Sequence, residues 1–170
     1  MIINRKWAMP NSNTFSILPI KYLIDKYING KSIDPFANTS KRAKITNDLN
    51  PEYNTNYHLD ALEFLEMFST ESIDFVFYDP PYSLRQVSEC YKNVGIEVTN
   101  ITTRSDWNTK HKRQIKRILK PSGMVMCFGW NSNGIGGQEM LMIEILLVGH
   151  GGQHNDTIVT VEKKQQRLLF

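Results

Sequence analysis

The sequence predicts an α/β fold in which a mostly parallel sheet ends in a C-terminal antiparallel hairpin. Helical and strand patterns alternate along the 170 residues, as they do when helices connect parallel strands. The segment 73–78 (IDFVFY) is almost wholly apolar, which is typical of a central strand. Two apolar segments, 140–148 and 157–161, are joined by a polar, glycine-rich link and predict the hairpin at one edge of the sheet.

The remaining elements are predicted from spacing and from punctuation by turn residues. After a polar N-terminal arm, apolar residues recur at helical spacing over 17–28, and Asn29-Gly30 is a suitable C-terminal cap. The further elements are short strands at 32–33 and 44–46, helices at 59–68 and 106–119, a turn at 120–123 and a strand at 124–130.

Composition limits the classes of protein that fit. The length suits one domain spanning 1–170, and no repeat, membrane-spanning run or signal pattern is present. Cys90 and Cys127 lie far apart without metal-type spacing, so we expect no metal site and a reduced, cytoplasmic location. The net charge of +3 permits a polyanionic partner without requiring one.

The main catalytic candidate is Asp79-Pro80-Pro81-Tyr82, hereafter the Asp79–Tyr82 box, which directly follows strand 73–78. Ligands bind at this carboxyl edge in open parallel sheets. An aromatic amine such as that of adenine is a poor nucleophile, because its lone pair is delocalised into the ring. The Asp79 carboxylate and the Pro80 carbonyl are acceptors for its hydrogens, and Tyr82 offers a stacking face. Taken alone, the box is equally readable as a turn that ends a strand.

Three acidic residues precede the box at successive element boundaries. Asp34 begins a turn that continues to Ser40, and its small residues would let a ligand approach backbone N–H groups. Asp48 follows the next strand and is placed to accept hydrogen bonds from ribose hydroxyls. Asp60 could accept from an adenine amino group. The structural alternatives are a polar turn for Asp48 and a helix N-cap for Asp60.

The order of these motifs resembles that of DNA amino-methyltransferases, in particular small adenine-specific methylases of phage and mobile elements. The matching segments are Thr14-Phe15, Asp34–Ala37, Asn47–Asn50, His58–Ala61, the Asp79–Tyr82 box and Leu119–Gly123. The resemblance covers nearly the whole chain and implies a Rossmann-like S-adenosylmethionine-dependent methyltransferase fold, in a bacterial or phage-infected cell. The residues it implies for cofactor binding are Phe15, Asp34, Pro35, Phe36, Ala37, Asn38, Asp48, Asp60 and Ala61.

Two departures from that family's pattern matter. The turn after Asp34 usually carries two glycines, but Asn38 and Ser40 occupy those positions. Asn tolerates a positive φ, whereas a side chain at Ser40 is expected to weaken cofactor binding. The chain also has no insertion long enough for a separate target-recognition domain, so we expect weak specificity, a homodimer or a recognition partner.

Residues expected to contact nucleic acid lie on a basic helix and on loops near the catalytic edge. They are Trp7, Arg104, Trp107, Lys112, Lys116, Trp130 and Asn131. The basic residues are spaced to form helical stripes that would hold phosphates, although a solvated helix face explains them equally well. Trp130 would form a wall for a flipped base, with core packing as its alternative. His150 and His154 are interpreted as turn residues.

The sequence therefore predicts transfer of a methyl group from S-adenosylmethionine to N6 of adenine in DNA, single-stranded or with the base flipped. The alternatives are N4-cytosine or RNA adenine methylation, or a non-catalytic subunit that binds cofactor or nucleic acid. An aspartate opening the box is more typical of N6-adenine enzymes than of N4-cytosine enzymes, which usually open with serine. Methylation of a protein amide is a minor alternative, because there the box usually opens with asparagine.

Overall fold

The computed structural model describes residues 1–96, 106–152 and 154–166. The strands in these ranges are β1 (Ile2–Trp7), β2 (Ser32–Asp34), β3 (Ile45–Thr46), β4 (Ile73–Tyr78), β5 (Leu119–Gly129), β6 (Met140–Gly149) and β7 (Thr157–Lys164). The α-helices are α1 (Leu18–Tyr27), α2 (Ala61–Glu66), α3 (Leu84–Asn93) and α4 (Trp107–Ile118), and a short 3-10 helix covers Thr14–Ser16.

The strands form one sheet in the order β1-β6-β7-β5-β4-β2-β3. All neighbouring pairs are parallel except those of β7, which runs antiparallel to both β5 and β6. The predicted, mostly parallel sheet with a C-terminal hairpin is confirmed. The nearly all-apolar strand β4 lies in the interior of the sheet, as its composition predicts, because both of its faces are covered.

Helices cover both faces of the sheet. On one face, α1 buries Ile20 and Ile24 against Phe75 and Phe77 of β4. On the other face, α2 and α4 pack together over the side chains that point the opposite way, such as Val76. Alternate side chains of β4 point to opposite faces of the sheet, and each set packs against the apolar face of the helices on that side.

The N-terminal arm and the hairpin differ from the prediction. The arm forms β1, which pairs in parallel with β6, from Ile2 opposite Glu144 to Trp7 opposite Gly149. The hairpin is therefore not at the edge of the sheet, because β1 covers β6. The side chains of β1 are mostly exposed, so its sequence lacks the alternation of apolar and polar residues from which a half-buried strand is predicted.

The predicted turn at 120–123 lies inside β5 as a bulge. Ile73 pairs with Leu119 while Phe75 pairs with Met124, so the intervening β5 residues leave the register. Ser122 has a φ of +66°, and a Cβ at Gly123 would lie 2.9 Å from a backbone oxygen. Regular pairing of β5 with β4 resumes at Met124, after the bulge. Among the described residues, no helix is long and apolar enough to cross a membrane.

Candidate active site

The Asp79–Tyr82 box lies directly after β4, at the carboxyl edge of the parallel strands. The Tyr82 hydroxyl donates to Oδ1 of Asp79 at 2.5 Å. The backbone N–H of Tyr82 donates to Oε1 of Gln86 at 2.7 Å. Ser83 caps α3, its Oγ accepting from the N–H of Gln86 at 3.2 Å. These bonds hold the box between the end of β4 and the first turn of α3.

The protonation states in the box follow from burial and hydrogen bonding. Burial raises the pKa of the Asp79 carboxyl to about 6, while hydrogen bonds from Tyr82 and Thr14 act to lower it. Burial and the neighbouring carboxylate raise the pKa of the Tyr82 hydroxyl far above its ordinary value. At pH 7, therefore, Asp79 is mostly a carboxylate and Tyr82 is a neutral donor. The ionised Asp79 can only accept hydrogen bonds, which suits an amino group.

A cavity of about 450 Å³ opens beside the box, within the size range of small-molecule sites. It brings together Asp48, Asp60 and Asp79, as the order of the motifs predicts. Its walls come from the turn after β2, the segment after β3, the start of α2, the box and α3. Of the predicted cofactor residues, it is lined by Pro35, Phe36, Asn38, Asp48, Asp60 and Ala61.

The turn after β2 is shaped by Asn38, whose φ of +50° lies in the left-handed region, as anticipated. Its N–H donates to Oδ2 of Asp48 at 2.8 Å, and the N–H of Ser40 donates to the carbonyl of Ala37 at 2.7 Å. Oδ1 of Asp48 accepts from the N–H of Asn50 at 2.9 Å. Asp48 thus braces two backbone segments in addition to lining the cavity.

Asp60 combines the two interpretations offered for it. Its Oδ1 accepts from the N–H of Leu62 at 2.9 Å and caps α2. Its Oδ2 accepts from the hydroxyl of Tyr91, which projects from α3. Because Asp60 and Tyr91 both line the cavity, this bond joins two of its walls.

Asp34 differs from its predicted role, because it lies beneath the turn and does not line the cavity. Its side chain is fully buried, and Oδ1 accepts from the N–H of Phe36 at 3.0 Å. Oδ2 has no hydrogen-bond partner among the described residues. Burial holds the pKa of this carboxyl well above its ordinary value. Asp34 therefore supports the turn from below instead of contacting a ligand in this cavity.

Phe15 and Ala37 also lie outside the main cavity. They line a smaller one of about 150 Å³ that shares Phe36, Asn38 and Asp79 with it. The Phe15 ring is buried in the core, with centroid distances of 5.0 Å to Phe77 and 4.8 Å to Phe128. Phe15 therefore contributes an apolar surface to the small cavity that Asp79 also lines.

A third cavity, of about 140 Å³, adjoins the box on the β5 side. It shares Pro80, Pro81 and Tyr82 with the main cavity, so the box forms a partition between the two. Trp130, which follows β5, is 46% exposed and meets the Tyr82 ring edge-on at 5.3 Å between centroids. The lining of this cavity also includes Asn108, Lys112, Asn131 and Gly134.

The remaining nucleic-acid candidates, apart from Trp7, come from the segment 104–116. Trp107 is buried against His111, at 4.2 Å between ring centroids, and lines the main cavity, which corrects the expectation of a surface contact. The amphipathic pattern of α4 turns this ring inward. Lys116 lies 3.7 Å from Glu139. Arg104 falls outside the described residues.

Trp7 is 67% exposed at the end of β1. Because β1, β5 and β4 run in the same direction, Trp7 lies at the same edge of the sheet as the box. Three strands separate β1 from β4 in the sheet order, however, which places Trp7 roughly 19 Å from the box at the usual strand spacing. Trp7 is therefore outside the walls of the two cavities that meet at the box.

Several contacts of the site were missed by sequence reasoning. Thr14 reaches Asp79 from the 3-10 helix, and Tyr91 reaches Asp60. Val87 and Tyr91, four residues apart on α3, gave a usable helical signal for a buried face. His111 gave none. Burial lowers its pKa to about 4, so it is a neutral side chain among Phe36, Tyr78 and Trp107.

Histidine, cysteine and acidic side chains are the residues that could hold a metal ion. Among the described ranges, no group of three His, Cys, Asp or Glu side chains is placed to hold a metal ion. His150 is buried, and its ring nitrogens lie 2.8 Å from the carbonyl of Ala8 and from the hydroxyl of Thr157. It joins the N-terminal segment to the hairpin, so the description as a turn residue was incomplete.

Comparison with curated proteins finds two partial relatives. The chain is 33% identical over 92 residues to the type II methyltransferase M2.DpnII of Streptococcus pneumoniae, covering 46% of this chain and 34% of that protein. It is 28% identical over 81 residues to the type II methyltransferase M2.LlaDCHI of Lactococcus lactis subsp. cremoris, covering 42% and 30%. The matches thus span about a third of the length of these relatives. No family model matches the sequence.

Solved structures agree in fold at low sequence identity. TrmN from Thermus thermophilus aligns with a TM-score of 0.56 and 14% identity, over 86% of this chain and 47% of that one. SMU.1697c, a proposed methyltransferase from Streptococcus mutans solved in complex with SAH, aligns with a TM-score of 0.52 and 13% identity, over 86% and 97%. The fold is the Rossmann-like fold of S-adenosylmethionine-dependent methyltransferases.

Proposed function

We propose that this protein transfers a methyl group from S-adenosylmethionine to the exocyclic N6 of adenine in DNA. The observation that carries the proposal is the position of the Asp79 carboxylate, which lines the main cavity at the end of β4, directly before the three residues that separate this cavity from the third one. One cavity has the size of a cofactor site, and the other has an aromatic wall made by Tyr82 and Trp130. A methyl donor and an amine need such adjoining sites, with an acceptor where they meet.

The main cavity fits S-adenosylmethionine in size and in the chemistry of its lining. Asp48 and Asp60 supply acceptors for hydroxyl and amino groups, and Phe36 and Pro35 supply apolar surface for a purine ring. The N–H of Asn38 already donates to Asp48, which fixes that acceptor in place. When bound, the cofactor supplies an electrophilic methyl group on a sulfonium.

The protein's own contribution is to orient and activate the amine. Asp79 accepts one N–H of the amino group, and we assign the Pro80 carbonyl as the acceptor of the other, which draws the nitrogen towards tetrahedral geometry. The Asp79 carboxylate then stabilises the positive charge that develops on the nitrogen. Tyr82 and Trp130 hold the ring by stacking and edge contact.

Adenine in DNA is favoured by two considerations. The box opens with aspartate, which the family resemblance associates with N6-adenine chemistry. The two curated relatives are named type II methyltransferases. Residues 1–170 are proposed to form a single methyltransferase domain, with specificity supplied from outside this domain, for example by a second copy or by a recognition partner.

The test is incubation with tritiated cofactor and unmethylated DNA, RNA or neither, followed by nucleoside analysis. The expected product is N6-methyldeoxyadenosine from DNA, lost in Asp79→Ala while cofactor binding by calorimetry persists. N4-methylcytosine or methylated RNA would replace the proposed substrate. Cofactor binding without product on any substrate would identify a non-catalytic subunit instead.

A further inference from the structure

The loop between β5 and β6, residues 130–139, carries Trp130 and Asn131 into the third cavity. Its backbone is unusual, because Gly134, Gly136 and Gly137 all have positive φ values, of 58°, 66° and 103°. Glycine reaches positive φ without strain, so this path is open to the chain at these three positions, and contacts with other elements select it. The structure supplies those contacts from two charged side chains.

The first is Glu162, on β7 between β5 and β6. Its side chain is 2% exposed. Its Oε2 accepts from the N–H of Ile135 at 2.5 Å, and Oε1 accepts from the N–H of Gly136 at 2.9 Å. No cation lies within ion-pair distance of it among the described residues. A carboxylate buried in the middle of a sheet is costly, so its two backbone donors are its compensation.

The second is Lys112, on α4, whose ammonium donates to the carbonyl of Gly134 at 2.5 Å. The loop is thus held through donors on one side and an acceptor on the other. A Cβ at residue 134 would overlap the Glu162 carboxylate, so the approach requires glycine. Lys112 and Gly134 line the third cavity together with Trp130 and Asn131.

We propose that Glu162 and Lys112 form a clamp on the 130–139 loop and that this clamp sets the shape of the pocket that receives the target base. This inference rests on the proposed function. Glu162 is a positioning residue, because it acts through the loop and touches no substrate. The clamp holds Trp130 against Tyr82, so the ring of the base meets a preformed aromatic wall.

Glu162→Gln tests the clamp at nearly constant volume. The amide retains one acceptor and places a donor against the other backbone N–H, so at least one bond is lost. Glu139→Gln is the matched control, because it removes the same charge from the end of the same loop, where Glu139 is half-buried and lies 3.7 Å from Lys116. Hydrogen exchange over residues 131–137 is expected to accelerate in Glu162→Gln and to stay at the wild-type rate in Glu139→Gln.

The second measurement is base preference, by fluorescence anisotropy of a labelled single-stranded oligonucleotide that contains adenine or an abasic site. We expect the wild type and Glu139→Gln to prefer adenine by about tenfold, the scale of one stacked base. Glu162→Gln should bind both strands about equally. The ratio of the two affinities cancels the attraction of the phosphates, because both strands carry the same backbone charge. The measurement needs no methyl transfer, so it tests the clamp even if the proposed reaction fails.

Equal exchange rates in the two variants would overturn the clamp. Faster exchange with an unchanged preference for adenine would show that the loop does not set the base pocket. A wild-type protein without any preference for adenine would remove the pocket itself.

Discussion

The hydroxyl of Tyr82 donates a 2.5 Å hydrogen bond to Oδ1 of Asp79, within the same four-residue box. This bond supports the ionised carboxylate against the burial that raises its pKa to about 6. It also occupies the group that we assign to the amino group of the substrate. The two residues therefore set the pH range in which Asp79 is ionised, and they determine whether its carboxylate is free to accept the amino group.

Tyr82→Phe is predicted to move the acidic limb of the activity profile to higher pH. The variant keeps the ring but removes a donor to the carboxylate, so the pKa of Asp79 rises. Because the ionised form is the acceptor, activity is lost at a higher pH than in the wild type. A bond to a charged group corresponds to about one pH unit.

The measurement is kcat/KM from pH 5 to 9, with Tyr22→Phe on the exposed face of α1 as the control. An unchanged or more acidic limb in Tyr82→Phe would contradict the assigned role of the hydroxyl.

Asp79→Asn is predicted to be more stable than the wild type at pH 7, and not at pH 4. The folded-state pKa of Asp79 is about 6 against an ordinary 3.8, so folding disfavours the ionised form. Below about pH 4 the carboxyl is protonated in both states. Between pH 4 and pH 7 the free energy of unfolding of the wild type therefore falls by about 3 kcal/mol, because Asp79 ionises less readily in the folded state.

Denaturant unfolding at pH 4 and pH 7 measures the difference. Glu63→Gln, on the exposed face of α2, is the control for loss of a charge. A stability gap between Asp79→Asn and the wild type that does not widen with pH would refute the raised pKa.

Asn38→Ala is predicted to destabilise the protein by about 1 kcal/mol and to weaken cofactor binding. The residue has a φ of +50°, where a Cβ without a local polar side chain is strained. Asn38→Gly removes that strain and should retain or improve both properties. Thermal unfolding and titration calorimetry of the two variants provide the comparison, and equal behaviour of alanine and glycine would show that the backbone conformation is not decisive.

Trp130→Ala is predicted to raise the KM for DNA about tenfold, because it removes the wall beside Tyr82. Trp130→Phe keeps an aromatic face and should recover most of the affinity. Tyr22→Ala removes a 63% exposed aromatic from α1 and serves as the control. Steady-state kinetics at fixed cofactor concentration decide the matter, and a KM as low as that of the control would place the base elsewhere.

Much of the fold was predictable because it depends on local patterns. The apolar segment 73–78 gave β4 with its exact bounds, and the hairpin followed from two apolar runs and a polar link. β1 was missed because its side chains are mostly exposed and its partner, β6, is more than 130 residues away. The bulge at 120–123 was read as a turn, since a register shift depends on the neighbouring strand.

The sequence by itself determined the α/β fold, the order of the motifs and the box at the end of β4. These features depend on period, turn chemistry and residue type, which are local. Only the tertiary structure decided that Asp34 lies under the turn and that Glu162 holds the loop beside the box. Burial and charge environment are set by contacts between distant segments, so no local pattern encodes them.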